Sequence, residues 1–231
     1  MVSPFYPYAR QDKKHAGREP ISARLVADLY KTAGADRLMS VDLHAAQIQG
    51  FFDGPVDHLW ALPVLAEYVT EKYGQDEMTV VSPDAGRVRL ADMWTDKLNC
   101  PLAIIHKRRD PNVANQVAVH EVVGEVEGRV CLLVDDMIDT AGTICQAADA
   151  LKARGAKAVI AATTHPILSG PAADRLNESA FEEVIVTNTL PISEDVQINK
   201  LTVLSIAPLI AKAIHEVFED GSVTSLFDGQ S

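Results

Sequence analysis

Seven residues suited to handling a sugar phosphate are concentrated between positions 135 and 143. Asp135 and Asp136 form an acidic pair. Asp139, Thr140, Ala141, Gly142 and Thr143 follow three residues on. Upstream, Val130 to Val134 are all apolar, as a strand buried on both faces requires. Downstream, Ile144, Ala147, Ala148 and Leu151 recur at helical spacing. A strand, an acidic pair, a small hydroxyl-rich loop and a helix make a phosphate cradle. N–H groups at a helix start point outward, and Thr140 and Thr143 add hydroxyl donors. Ala141 and Gly142 keep the backbone approachable. The acids repel phosphate and suit ribose hydroxyls or a nearby magnesium ion. A strand end has no packing use for two adjacent acids, which are costly if buried unpaired. The loop is not a Walker P-loop, since G-x-x-x-x-G-K-[ST] does not occur, and neither does G-x-G-x-x-G.

Three further groups carry charge to the ends of apolar runs. His106-Lys107-Arg108-Arg109 is a cationic run in an acidic protein, and Asp110, Pro111, Asn112 and Asn115 follow it in a loop-like composition. His44 follows Asp42-Leu43, and Asp84 sits in the turn Pro83-Asp84-Ala85-Gly86. The backbone N–H groups of such a turn can meet a diphosphate. His120-Glu121-Val-Val-Gly124 begins like a zinc-protease motif, but Gly124 stands where the second histidine must be.

The elements that must hold these residues alternate along the chain. Helices are expected over Ser22 to Ala33, with Leu25, Val26 and Leu29 inward, then over Ala61 to Tyr73, Val88 to Leu98, Ile144 to Arg154 and Ile206 to Phe218. Strands are expected over Arg37 to Asp42, Met78 to Ser82, Leu102 to Ile105, Val130 to Val134, Ala158 to Thr163, Val184 to Thr187 and Thr202 to Leu204. Such alternation implies βαβ units and mostly parallel sheets, which gather ligands at the carboxyl ends of their strands. His44, Asp84, Lys107 and Asp135 are all expected at or just past such ends.

Composition narrows the function class. The chain of 231 residues is 47% hydrophobic and 23% charged, as in ordinary soluble domains. Its 21 Lys and Arg against 32 Asp and Glu give a net charge of −11, which argues against a general nucleic-acid surface. No apolar run approaches the roughly 20 residues of a membrane helix. Cys100, Cys131 and Cys145 form no C-x-x-C pair and suit free thiols in a reducing cytoplasm.

Residues 130–143 resemble the phosphoribosyl-diphosphate-binding motif of the type I phosphoribosyltransferase fold. Tyr8 to Asp12, Pro20 to Ala23, Val41 to Asp53, Ser82 to Gly86 and His106 to Arg109 occur in the order and spacing of one family within that fold. Across essentially its whole length the chain is similar to the ribose-phosphate diphosphokinases, or phosphoribosyl diphosphate synthetases. The resemblance implies an α/β fold of two Rossmann-like halves with mostly parallel sheets, the first half incomplete. The expected division is 1–60 for the remainder of the N-terminal half, 61–205 for the C-terminal half, and 206–231 for a closing helix that packs back on the N-terminal half. The chain starts where relatives already carry further strands, so an N-terminal segment is expected to be missing, leaving Phe5 and Tyr6 as exposed apolar surface.

The resemblance also implies an activity: transfer of the diphosphate of ATP to the anomeric hydroxyl of ribose 5-phosphate, with Mg2+ as cofactor. The alternatives are a phosphoribosyltransferase or a non-catalytic regulatory homologue. Lys107 and Arg109 match catalytic cations, with Arg109 also on ribose 5-phosphate. Arg10 and Gln11 match the ATP-binding pair, and His44 and Asp84 the metal site. Asp135, Asp136, Asp139, Thr140, Ala141, Gly142 and Thr143 match the ribose 5-phosphate loop. Gln49, Asp57, Ser222 and Phe227 resemble a regulatory site between subunits that takes ADP or phosphate in a homohexamer. Arg87 stands where many relatives carry a second glycine, and it narrows the diphosphate loop or adds a cation to it.

Overall fold

The computed structural model describes residues 1–14, 16–74, 76–108 and 119–227; the side chains of Lys107, Arg108, Val119 and His120 lie outside that description. The chain divides into two compact units. One comprises Met1–Pro63 with Ser205–Ser231, the other Val64–Leu204.

The second unit is built on a seven-stranded sheet. Its strands are β3 (Met78–Ser82), β4 (Leu102–Arg108), β5 (Val119–Val123), β6 (Val130–Ile138), β7 (Ala158–Pro166), β8 (Glu183–Thr187) and β9 (Leu201–Leu204). Their order is β5-β4-β3-β6-β7-β8-β9, all parallel except the antiparallel pair β4–β5. Every residue of β3, β7 and β8 is buried, as strands covered on both faces must be. The helices are α3 (Val88–Leu98), α4 (Gly142–Ala153) and α5 (Ala172–Glu178), and α2 (Leu62–Tyr73) leads in from the other unit. α4 buries Ile144, Ala147, Ala148 and Leu151, the face its periodicity predicts, against a core that includes Val81, Leu133, Val159 and Val184. α3 stops at Asn99, whose left-handed backbone (φ 50°) closes the last turn ahead of Pro101.

Strand order creates a functional position. After β3 the chain passes through α3 to β4 on one side; after β6 it passes through α4 to β7 on the other. Right-handed crossovers in opposite directions part the connections at the carboxyl ends of β3 and β6. In open parallel sheets this switch point is where ligands bind.

The first unit carries a two-stranded parallel sheet, β1 (Leu38–Val41) with β2 (Val56–Leu59), together with α1 (Ser22–Thr32) and α6 (Ala207–Phe218). Two expectations fail here. Tyr6 is only 2% exposed and donates its hydroxyl to the Ala23 carbonyl at 2.7 Å, so it belongs to the core. α1 buries Ala23, Val26 and Ala27, whereas Leu25 and Leu29 are 56% and 58% exposed. The buried stripe is therefore set by small residues that allow close approach, not by the larger leucines. No helix among the described residues is long and apolar enough to cross a membrane.

Candidate functional site

β6 does not stop at its acids. It runs on through Asp135 and Asp136 to Ile138, and its pattern changes from continuously buried to alternating at Asp135. From Asp135 one face of the strand opens while Asp136 and Ile138 on the other stay buried. Asp136 is 6% exposed, while Asp135 and Met137 are partly open. Asp135 Oδ1 accepts from the Asp136 amide at 2.8 Å. Burial, and next the neighbouring Asp136, push the Asp135 carboxyl well above the usual carboxylate range; the Arg87 guanidinium pulls the other way.

The loop after β6 is tied down from the segment that follows β7. Leu168 and Ser169 amides donate to the Ile138 and Asp139 carbonyls, both at 3.0 Å. The Ser169 hydroxyl donates to Asp139 Oδ1. From α5, Arg175 Nη1 donates to the Thr140 carbonyl at 2.8 Å. Ala141 then turns left-handed (φ 59°) and α4 begins at Gly142. A side chain at Gly142 would put its Cβ 3.2 Å from Arg175 Nη1, so the close approach of this arginine favours glycine there. No side chain caps α4. Its first-turn N–H groups have no intrahelical acceptor, and Thr140 and Thr143 beside them are exposed. The Thr N-cap that an ordinary strand-to-helix turn would use is absent. The arrangement can accept an anion at the helix end and hydroxyls at the acids.

Across the switch point, the turn after β3 faces these acids. Val81 of β3 is in register with Leu133 of β6, which brings Asp84 and Asp135 to the same end of neighbouring strands. Asp84 Oδ1 accepts from the amides of Gly86 (2.7 Å) and Arg87 (3.1 Å). Two of the N–H groups expected to meet a diphosphate are thus taken by Asp84 itself. Arg87 answers the question its sequence position raises: it supplies a cation. Its Nε lies 2.9 Å from Asp135 Oδ1 and its Nη2 2.8 Å from Asp136 Oδ1.

Lys107 lies on β4, not past its end, because β4 continues to Arg108 in antiparallel register with β5; backbone Lys107 pairs with His120. Arg109 lies outside the described residues.

The remaining candidates belong to the first unit. Tyr8 adopts φ 56° in a turn closed by the Gln11 amide on the Tyr8 carbonyl at 2.9 Å, which leaves Arg10 and Gln11 exposed. The Gln11 carbonyl accepts from Ala23 at the start of α1, so the pair is held against a helix end. Asp12 accepts from Gln47 and is buried. Asp42 turns left-handed (φ 40°) after β1, with its Oδ2 accepting the Ala61 amide at 3.1 Å. His58 Nε2 accepts the Leu43 amide at 2.9 Å. These contacts place the half-buried His44 just after a fixed strand end. Among the regulatory candidates, Asp57 is buried and gripped in a fork by Arg37 at 2.6 and 2.7 Å. Gln49 is exposed and reaches back to the Ala46 carbonyl at 3.3 Å. The Ser222 and Thr224 hydroxyls share a hydrogen bond of 2.7 Å, and Phe227 is buried.

Sequence reasoning missed Ser169, Arg175 and the double bridge from Arg87. The first two have no local signal, because they act on a loop about 30 residues upstream.

Residues 111–228 match the phosphoribosyl synthetase-associated domain, and residues 1–34 match the N-terminal domain of ribose phosphate pyrophosphokinase. A ribose-phosphate pyrophosphokinase of Streptomyces coelicolor is 70% identical over 230 residues, covering 100% of this chain and 71% of the relative. The chain belongs to the ribose-phosphate pyrophosphokinase family. The Mycobacterium tuberculosis relative is 63% identical, again over 100% of this chain and 71% of its own length. The crystal structure of phosphoribosylpyrophosphate synthetase from Mycobacterium smegmatis superposes with a TM-score of 0.88 at 61% identity, covering 95% of this chain and 71% of that one. With this family comes its fold, the type I phosphoribosyltransferase fold.

Proposed function

We propose that the protein transfers the diphosphate group of ATP to the anomeric hydroxyl of ribose 5-phosphate, giving 5-phosphoribosyl 1-diphosphate and AMP for nucleotide biosynthesis. The observation that carries this reading is the end of β6. An acidic pair and an uncapped helix N-terminus meet there at the switch point of a parallel sheet.

Roles follow from chemistry. The first turn of α4, with Thr140 and Thr143, takes the 5-phosphate. Asp135 and Asp136 accept ribose hydroxyls, and Asp139, anchored by Ser169, shapes the loop. Lys107 and Arg109 supply positive charge to the transferring group, which gains most from cations in the transition state. Arg10 and Gln11, exposed on a rigid turn, bind ATP.

Magnesium fits this donor set. Asp84 spends one carboxylate oxygen on its own turn and keeps the other, and a magnesium ion uses few protein ligands beside substrate phosphates. Asp84 would hold it, and His44 is the other proposed metal residue. The chemistry supplied there would be neutralisation of phosphate charge.

A homohexamer is the proposed assembly, supported by the exposed apolar side chains of Leu25, Leu29 and Phe218. Gln49, Asp57, Ser222 and Phe227 are its proposed regulatory positions for ADP or phosphate. The free thiols Cys100, Cys131 and Cys145 suit a reducing cytoplasm.

Incubation with ATP, ribose 5-phosphate and magnesium tests the reaction. AMP and phosphoribosyl diphosphate are the expected products. Turnover that required a nucleobase and ready-made phosphoribosyl diphosphate would instead identify a phosphoribosyltransferase.

A further inference from the structure

Arg87 has no role in the scheme above, yet two ion pairs and a backbone hydrogen bond hold it in the site. It closes the short 3-10 turn Ala85–Arg87, and its amide is held by Asp84 Oδ1 at 3.1 Å. Its side chain crosses from the β3 side of the switch point to the β6 side. There one guanidinium meets both acids, Nε on Asp135 at 2.9 Å and Nη2 on Asp136 at 2.8 Å. The three side chains are 21%, 22% and 6% exposed, so water screens these contacts only partly.

Consecutive carboxylates in such a place repel each other, and alternation along β6 would turn them to opposite sides. A planar guanidinium with neighbouring donors at Nε and Nη2 counters both effects at once. The Arg87 bridges at 2.9 and 2.8 Å fall on Oδ1 of each acid. A carboxylate offers two oxygens and about four lone-pair positions, so this engagement leaves Asp135 capacity for a hydroxyl.

We infer that Arg87 is a positioning residue for ribose 5-phosphate: its guanidinium holds the Asp135 and Asp136 carboxylates side by side, so that both accept the sugar's hydroxyls together. The inference rests on the reading of those acids as hydroxyl acceptors. Arg87 stays with the acids when the sugar binds. Through its pinned backbone it also fixes the distance between the Asp84 turn and the sugar.

The test uses the whole chain carrying Arg87→Ala, Arg87→Lys, Asp135→Asn or Arg87→Ala with Asp135→Asn. Ribose 5-phosphate affinity is read by calorimetry, and KM and kcat by AMP release. Arg87→Ala should weaken ribose 5-phosphate binding and raise its KM on the order of tenfold, as loss of a charge-assisted pair implies. The KM for ATP and kcat should move by no more than about threefold. Arg87→Lys should restore part of the affinity, since an ammonium keeps the charge and loses the fork. The double variant should be little worse than the worse single one, because both changes remove one arrangement. Arg87→Gln, which keeps length and loses charge, gives the same reading should the alanine variant not fold. If Asp135→Asn weakens the sugar while Arg87→Ala leaves it unchanged or tightens it, Arg87 has no positioning role and the inference is overturned. A loss confined to kcat overturns it equally, by placing the charge on the reacting phosphates. If Asp135→Asn itself leaves affinity unchanged, the fault lies in the reading of the acids.

Discussion

Tyr73 donates its hydroxyl to Glu183 across 2.6 Å, fastening the last residue of α2 to the first residue of β8. Three more donors converge on the same carboxylate: Tyr68 at 2.7 Å, Lys72 at 2.9 Å and Thr202 at 2.5 Å. Burial alone would raise the Glu183 carboxyl, but the bonds from Thr202, Tyr73, Lys72 and Tyr68 outweigh it and hold the group down to about 2. A carboxyl depressed on folding stabilises the fold fully above its unfolded value and loses that contribution as pH falls toward the folded one. The chain should therefore lose thermal stability between about pH 4.5 and about pH 2 through this group. Glu183→Gln should flatten that part of the profile and cost about 2–3 kcal/mol at neutral pH, because four donors then face a single acceptor oxygen. Melting curves across the acid range decide it; a Gln variant with the parent's acid slope would show that other groups govern the loss.

Lys107 tests the assignment of the catalytic cations. If it is a catalytic cation, its charge is worth most when charge develops on the transferring phosphate, not when substrate sits in the ground state. Lys107→Ala should lower kcat about 10²-fold or more and change ribose 5-phosphate affinity only slightly. Steady-state kinetics beside calorimetry separate the two. Near-normal turnover would mark the run from His106 to Arg109 as a solvated stretch of charge.

The core of the sheet was legible in the sequence, and so was the β6–α4 junction. Val130 to Val134 read as a buried strand and form one, and the α4 stripe of Ile144, Ala147, Ala148 and Leu151 is the buried one. Boundaries were less legible. Two acids read as a strand end, yet β6 passes through them because it stays paired with β7 as far as Ile138. β2, β5 and α5 went unread: each is short, and β5 takes its place by pairing with β4. The bridge from Arg87 to Asp135 and Asp136 joins positions about 50 residues apart. It exists because β3 and β6 are neighbours, and no local pattern reports that adjacency.

Arg175 supports the loop through its backbone. Its Nη1 holds the Thr140 carbonyl at 2.8 Å, immediately before the left-handed Ala141 that aims the α4 amides. Thr140 is exposed, so water can replace the lost donor and the fold should suffer little. Arg175→Ala should cost no more than about 1 kcal/mol of stability and raise the KM for ribose 5-phosphate about three- to tenfold. Chemical denaturation and kinetics on one preparation check both halves. A large loss of stability with an unchanged KM would make Arg175 a strut for α5 alone.

Ser169 and Asp139 offer a sharper test of loop support, because two kinds of bond join them. The Ser169 amide donates to the Asp139 carbonyl at 3.0 Å, a backbone contact that any residue at 169 preserves. The Ser169 hydroxyl donates to the Asp139 carboxylate, and this bond alone depends on the side chain. If Asp139 shapes the 5-phosphate site, Asp139→Ala should raise the KM for ribose 5-phosphate on the order of tenfold while kcat falls less. Ser169→Ala should give a smaller rise of about two- to fivefold, since the carboxylate stays and loses only its anchor. Ser169 acts through Asp139, so the double variant should match Asp139→Ala. Independent, multiplying effects would mean that the serine meets the substrate directly.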